Sequence, residues 1–168
     1  MSKKIKLGIL GGGGDSLIGI LHRIAANMFD KYEIVGGVFN PNFDDNMAFA
    51  KTLGLDSSRI YKDYQTLISE ECKLDSSERM QAISVLTPNF LHYPMAKQLL
   101  ENDFHVICEK PLTTTYEESL DLKRLKEEKN AVFGVTHTYT GYPMVRQMTK
   151  MISDGAIGNI QKVDAQYL

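Results

Sequence analysis

Four consecutive glycines at positions 11–14 follow directly on a short apolar run, Ile5, Leu7, Ile9 and Leu10, and constrain this 168-residue chain more than any other stretch. The run predicts a buried strand, and a strand that meets glycines turns sharply. Glycine suits such a turn because it lacks a Cβ, takes positive φ, and lets an anion approach N–H groups that the start of a helix leaves unpaired. After the turn, Leu17, Ile20, Leu21, Ile24, Ala25 and Met28 recur at helical spacing and predict an amphipathic helix with that stripe on the core. A helix N-terminus adds partial positive charge, so a pyrophosphate is a fitting ligand. The glycines alone are also compatible with a flexible connection; strand before and helix after are the context a nucleotide site requires. The spacing is looser than G-x-G-x-x-G, since Gly11-x-Gly13 is followed by five residues before Gly19.

The rest of the chain alternates. Strands are expected at residues 33–39, 60–61, 82–86, 105–108 and 131–136, with helices between them at about 43–53, 63–72, 91–100 and 115–129. Thr115-x-x-Glu118 is a capping box for the last of these. Met144, Val145, Met148, Met151 and Ile152 form a further helical stripe, expected to be core, that Gly155 ends. Six strands separated by helices, with no hairpin signal, indicate an α/β doubly wound parallel sheet, whose ligands bind beyond the C-terminal strand ends. The unusual clusters all fall there: the glycines, Asn40, Thr87-Pro88-Asn89, Glu109-Lys110-Pro111 and the run from His137 to Tyr142.

Composition narrows the class of function. A hydrophobic content of 43% is ample for one core, while 19 basic against 21 acidic residues give a net charge of −2 with no Lys/Arg cluster. Nucleic acid is therefore not an expected partner. No run of roughly 18 apolar residues exists, and Met1-Ser2-Lys3-Lys4 leads straight into the first strand, so neither a membrane span nor a signal peptide is expected and the cytoplasm is the default location. Cys72 and Cys108 are expected as buried free thiols, and four scattered histidines predict no metal site.

The second predicted strand ends in Asn40-Pro41-Asn42. An acid at this place normally binds the ribose hydroxyls of NAD, and a nearby base the extra phosphate of NADP. No Lys or Arg occurs between Asn40 and Lys51, and Asp44 and Asp45 would repel a phosphate, so NAD is expected and NADP is the alternative. Asn40 is either a ribose ligand or simply part of an Asn-Pro-Asn turn.

The glycine turn, Thr87-Pro88-Asn89 with His92 three residues on, Glu109-Lys110-Pro111 and the closing Gly155-Ala156-Ile157-Gly158 resemble the glucose-fructose oxidoreductase/inositol dehydrogenase (Gfo/Idh/MocA) family over the whole chain. The resemblance implies an N-terminal Rossmann domain for NAD or NADP, and hydride transfer at a hydroxyl or carbonyl of a sugar or cyclitol. It implies that Gly11, Gly13 and Gly14 line the pyrophosphate, that Thr87, Pro88 and Asn89 flank the nicotinamide ribose, and that His92 and Glu109 belong to the cofactor site. Lys110 would be the catalytic residue, its ammonium meeting the reacting oxygen, with a cis bond before Pro111 aiming it. Otherwise Lys110 is a solvated lysine at a strand end.

His137, Tyr139, Tyr142 and Arg146 lie in an almost uncharged, hydrogen-bonding run that suits sugar hydroxyls, although such tyrosines equally serve as packing groups. His22 is expected to pack or cap. Residues 1–158 are read as the cofactor domain and 159–168 as the first strand of a second domain that in the resembled family supplies substrate and oligomer contacts. An unpaired strand there would favour a homo-oligomer, and the chain alone is expected to bind cofactor with little turnover. A non-catalytic NAD sensor, a Rossmann methyltransferase and a glycoside-cleaving enzyme that uses NAD transiently are the competing readings.

Overall fold

The computed structural model describes residues 4–166. It divides into two units, one ending at Thr136 and the other beginning at His137.

The first unit is built on five parallel strands: β1 (Ile5–Gly11), β2 (Tyr32–Val38), β3 (Ala82–Leu86), β4 (His105–Cys108) and β5 (Phe133–Val135). Their order is β2-β1-β3-β4-β5. The chain thus leaves β1 in one direction and returns for β3 on its other side, which opens a crevice at the C-terminal ends of β1 and β3. The helices are α1 (Leu17–Met28), α2 (Phe43–Thr52), α3 (Tyr64–Glu71), α4 (His92–Glu101) and α5 (Tyr116–Glu128). The capping box at Thr115 and Glu118 is formed.

The expected strand at 60–61 is not one. Ile60 makes a single parallel bridge to Gly37. A 3-10 turn, Ser57–Arg59, ends just before it, and Asp63 caps α3 just after, so too few extended residues remain to build a ladder. Side-chain bonds hold this segment instead. Glu71 is fully buried and accepts from Arg59 Nη2 (2.7 Å), from the Tyr61 hydroxyl (2.6 Å) and from the Met80 N–H (2.8 Å).

Alternation along β1 sorts the core into two layers. Leu10 joins Leu67, Met80, Ile83, Leu99 and Phe104 in a cluster with α3, α4 and α5, while Ile9 packs with Phe39, Ala50 and Ile60 beside α2. Each such buried side chain contributes roughly 1.5–3 kcal/mol. Cys108 is buried, which pushes its thiol up to about 12, whereas Cys72, expected to be buried, is exposed as the cap residue of α3.

Helix α1 reverses the expected orientation. Its buried residues are Gly19 and Ala26, and the apolar stripe is exposed, with Leu17 at 66% and Ile24 at 53%. A Cβ on Gly19 would stand 1.8 Å from the Gly12 carbonyl oxygen, so the helix meets the glycine turn backbone to backbone. Arg23 Nη1 adds a 2.7 Å bond to that same oxygen. These contacts fix the rotation of α1, and its small and polar side therefore faces the sheet, where Ala26 packs with Leu7 and Ala82.

In the second unit a 3-10 turn, Thr138–Gly141, precedes α6 (Pro143–Ser153). No residue of α6 is buried, so the stripe expected as core is not core: Met144, Met148 and Met151 are exposed. Residues 162–166 form no strand, because none of them pairs in a ladder, and Tyr167 and Leu168 lie outside the described residues.

Candidate functional site

A cleft of about 550 Å³ opens at the C-terminal ends of β1, β2 and β3. Its lining comes from three strand ends and one further segment: Gly11, Gly12, Gly13 and Ser16 follow β1, Phe39, Asn40 and Pro41 follow β2, Thr87, Pro88, Leu91 and Met95 follow β3, and Lys62, Asp63 and Tyr64 lead into α3. The volume is ordinary for a small-molecule or cofactor site.

The glycine turn is shaped by backbone. Gly11 has φ of 83°, and a Cβ on Gly13 would come within 2.6 Å of the Phe39 carbonyl oxygen. Ser16 caps α1 by accepting from the Gly19 N–H, and its own N–H reaches the Gly13 carbonyl. The N–H groups of Gly14 and Asp15 make no hydrogen bond among the described residues. Unpaired donors at a helix start are what a pyrophosphate needs, and Gly11, Gly12 and Gly13, which line the cleft, carry no side chain. The residues present therefore fit a dinucleotide.

Asn40 forms the turn that is one of its two expected roles. It lines the cleft, and its Oδ1 accepts from the Asn42 N–H at 2.9 Å to make the turn. Asn42 in turn caps α2 through the Asp45 N–H. After β3, Thr87 and Pro88 line the cleft while Asn89 is exposed at the start of a 3-10 turn.

His92 is 1% exposed. Its Nδ1 lies 2.8 Å from the Pro111 carbonyl and its Nε2 lies 2.8 Å from the Thr87 carbonyl. One ring thus ties the Thr-Pro-Asn loop to the Glu-Lys-Pro loop; the neutral ring donates to one carbonyl at a time, the protonated ring to both.

Glu109 is also internal, at 9% exposure. Its carboxylate accepts from His22 Nε2 (3.0 Å), from the Thr136 hydroxyl and from the Lys110 N–H (3.1 Å). Burial raises the Glu109 pKa, but the bonds from Thr136, His22 and the Lys110 amide outweigh it and hold the carboxyl below its ordinary value. Next to this anchored acid, Lys110 is exposed, and its ammonium makes no hydrogen bond or ion pair among the described residues. The Lys110–Pro111 bond is cis, as expected.

The contact between His22 and Glu109 was not legible in the sequence, where 87 positions separate the two residues. Its one trace is that His22 and Arg23 interrupt the apolar pattern on the side of α1 that carries Gly19. Lys62 is a second addition to the site, brought there by the short segment between Ile60 and α3.

His137, Tyr139, Tyr142 and Arg146 belong to the second unit. There the Tyr139 and Tyr142 rings meet edge to face at 5.5 Å, and both are exposed. Arg146 lines a hollow of about 570 Å³ with Gln147, Lys150 and Asp154. Among the described residues no helix is long and apolar enough to cross a membrane.

Residues 5–137 match the family model described as an oxidoreductase family with an NAD-binding Rossmann fold. An uncharacterized oxidoreductase of Bacillus subtilis (strain 168) is 39% identical over 99% of this chain and 42% of its own length. Glucose-6-phosphate 3-dehydrogenase of the same organism is 30% identical over 96% of this chain and 42% of its own. The crystal structure of an inositol dehydrogenase homolog from Azotobacter vinelandii, complexed with NADH and myo-inositol, superposes with a TM-score of 0.90 at 38% identity, over 95% of this chain and 41% of that one. The chain spans about two fifths of the length of these relatives.

Proposed function

Because this chain belongs to the Gfo/Idh/MocA oxidoreductase family and forms its NAD-binding Rossmann domain, we propose that it holds the dinucleotide for hydride transfer at a hydroxyl or carbonyl of a sugar or cyclitol, with Lys110 as the acid–base group. The observation that carries this reading is the pairing of an anchored Glu109 with an unpaired, exposed Lys110 on the next residue.

The nicotinamide, when bound, accepts or supplies the hydride. The residues of the chain do the rest. Gly11, Gly13 and Gly14 let the pyrophosphate reach the backbone, with Gly14 and Asp15 offering N–H donors. Thr87, Pro88 and Asn89 border the nicotinamide ribose. When a carbinol is oxidised its hydroxyl proton has to leave, and an amine at Lys110 takes it; in the reverse direction the ammonium returns it and stabilises the developing negative oxygen. Glu109 and His92 fix the two loops that carry Lys110 and Thr87. The polyol compounds in the names of the relatives, glucose 6-phosphate and myo-inositol, support this substrate class. Residues from about 159 on are read as the start of a second domain, with His137, Tyr139, Tyr142 and Arg146 contributing to a substrate pocket.

Lys110→Ala is the test. In a chain of its relatives' length, assayed with NAD and a panel of polyols, it should lower kcat by roughly 10²- to 10⁴-fold. NADH affinity should change little. Unchanged turnover would remove the catalytic role and favour an NAD sensor.

A further inference from the structure

The sequence offers no base directly after β2, yet the fold brings one to the same cleft by another route. Lys62 is the one lysine or arginine among the described residues that line the cleft, and the residue before it is tied through Asn46 to the residue before Asn40. We infer that this cleft accepts NADP as well as NAD, and that Lys62 is the residue that recognises the 2′-phosphate. This inference rests on the reading of the cleft as a dinucleotide site.

Three observations support it. The first is placement. Asn46 is fully buried and bridges the two segments concerned, its Oδ1 accepting from the Phe39 N–H at 2.8 Å and its Nδ2 donating to the Tyr61 carbonyl at 2.8 Å. The residue before Asn40 and the residue before Lys62 are thereby tied to one side chain. On either flank of Lys62 the chain is pinned, by the Tyr61 hydroxyl on buried Glu71 and by the Asp63 carboxylate on the Thr66 N–H at 2.7 Å. The backbone that carries Lys62 is therefore set before any ligand arrives.

The second is the chemistry presented by Asn40. An NAD-selective site places a carboxylate at the end of β2 to accept from the ribose 2′-hydroxyl. Here no carboxylate occupies that position, and the Asn40 oxygen is already engaged by the Asn42 N–H. Beyond the one lone pair its oxygen keeps, Asn40 offers its amide NH₂, a donor, and a donor suits phosphate oxygens.

The third is local charge. The acid adjoining Lys62 is Asp63, whose carboxylate is committed to capping α3. Asp44 and Asp45, which on sequence grounds oppose a phosphate, lie in the first turn of α2 and are not among the residues lining the cleft. An ammonium at the end of a flexible stem binds phosphate as a point charge without demanding fixed geometry.

Calorimetric titration of the purified chain with NADH and with NADPH, for the wild type and for Lys62→Ala and Lys62→Arg, decides the matter. Both dinucleotides should bind the wild type. Lys62→Ala should weaken NADPH by roughly 10- to 100-fold and leave NADH within about twofold, while Lys62→Arg keeps NADPH binding. Added salt should weaken NADPH more than NADH in the wild type, and that difference should vanish in Lys62→Ala. NADPH affinity indifferent to Lys62→Ala, or NADH binding without NADPH binding, would overturn the role of Lys62 and leave the NAD site standing. Failure of a folded wild-type chain to bind either dinucleotide would overturn both.

Discussion

Glu109 shows how much one buried side chain decides. Its carboxylate is spent on His22, Thr136 and the Lys110 amide, so its contribution is to hold the loop in place for the neighbouring lysine. Because these bonds depress its folded pKa, they stabilise the native state above its ordinary value of 4.5, and that stabilisation is lost as pH falls through the lower folded value. Glu109→Gln should therefore lower the Tm at neutral pH, and the gap between variant and wild type should close below about pH 4.5. Thermal unfolding of both proteins across that range reads the effect; a gap that stays constant with pH would contradict it. At this scale the sequence revealed residue types but not their partners. Glu109, Lys110, Asn40 and Thr87 stand out by motif, whereas the bond from His22 to Glu109 depends on how α1 is rotated.

At the scale of elements, helix α1 is where periodicity and packing part company. The stripe from Leu17 to Met28 is a sound helical pattern, and the helix forms. Which face it buries is decided by its N-terminal contact, since Gly19 rests on the Gly12 backbone and Arg23 on the Gly12 oxygen. Gly19→Val should push α1 off the glycine turn, lowering Tm by several degrees and abolishing measurable NADH binding, because the donors at Gly14 and Asp15 move with the helix start. Wild-type NADH affinity in this variant would show that α1 need not touch the turn. The remaining elements were legible where local chemistry is strong, as in the capping box of α5 and the apolar run of β3. The segment at 60–61 was misread because two extended residues look like a strand until their neighbours are seen to turn. The Met-rich stripe of α6 was misread because an apolar face specifies that it needs cover without specifying what covers it.

On the scale of the whole molecule, the sheet order β2-β1-β3-β4-β5 gathers the motifs. Glycines after β1, Asn40 after β2 and Thr87-Pro88 after β3 are far apart in sequence but share one cleft because all the strands are parallel. Alternating strands and helices made that architecture readable in advance. The count of strands and the arrival of Lys62 were not, since both depend on a segment held by Asn46 and Glu71 rather than by a ladder. His137, Tyr139, Tyr142 and Arg146 lie in the second unit, and this chain spans about two fifths of the length of its relatives.

The measurement that bears most directly on the central claim is calorimetric titration of NADH into the wild-type chain and into Gly13→Val. A Cβ at position 13 would meet the Phe39 carbonyl within 2.6 Å and disturb the glycine turn to which the proposal assigns the pyrophosphate. The cleft reading predicts one saturable site in the wild type and loss of binding in a Gly13→Val chain that circular dichroism shows to be folded. Equal NADH affinity in the two proteins would place the dinucleotide elsewhere and contradict the account.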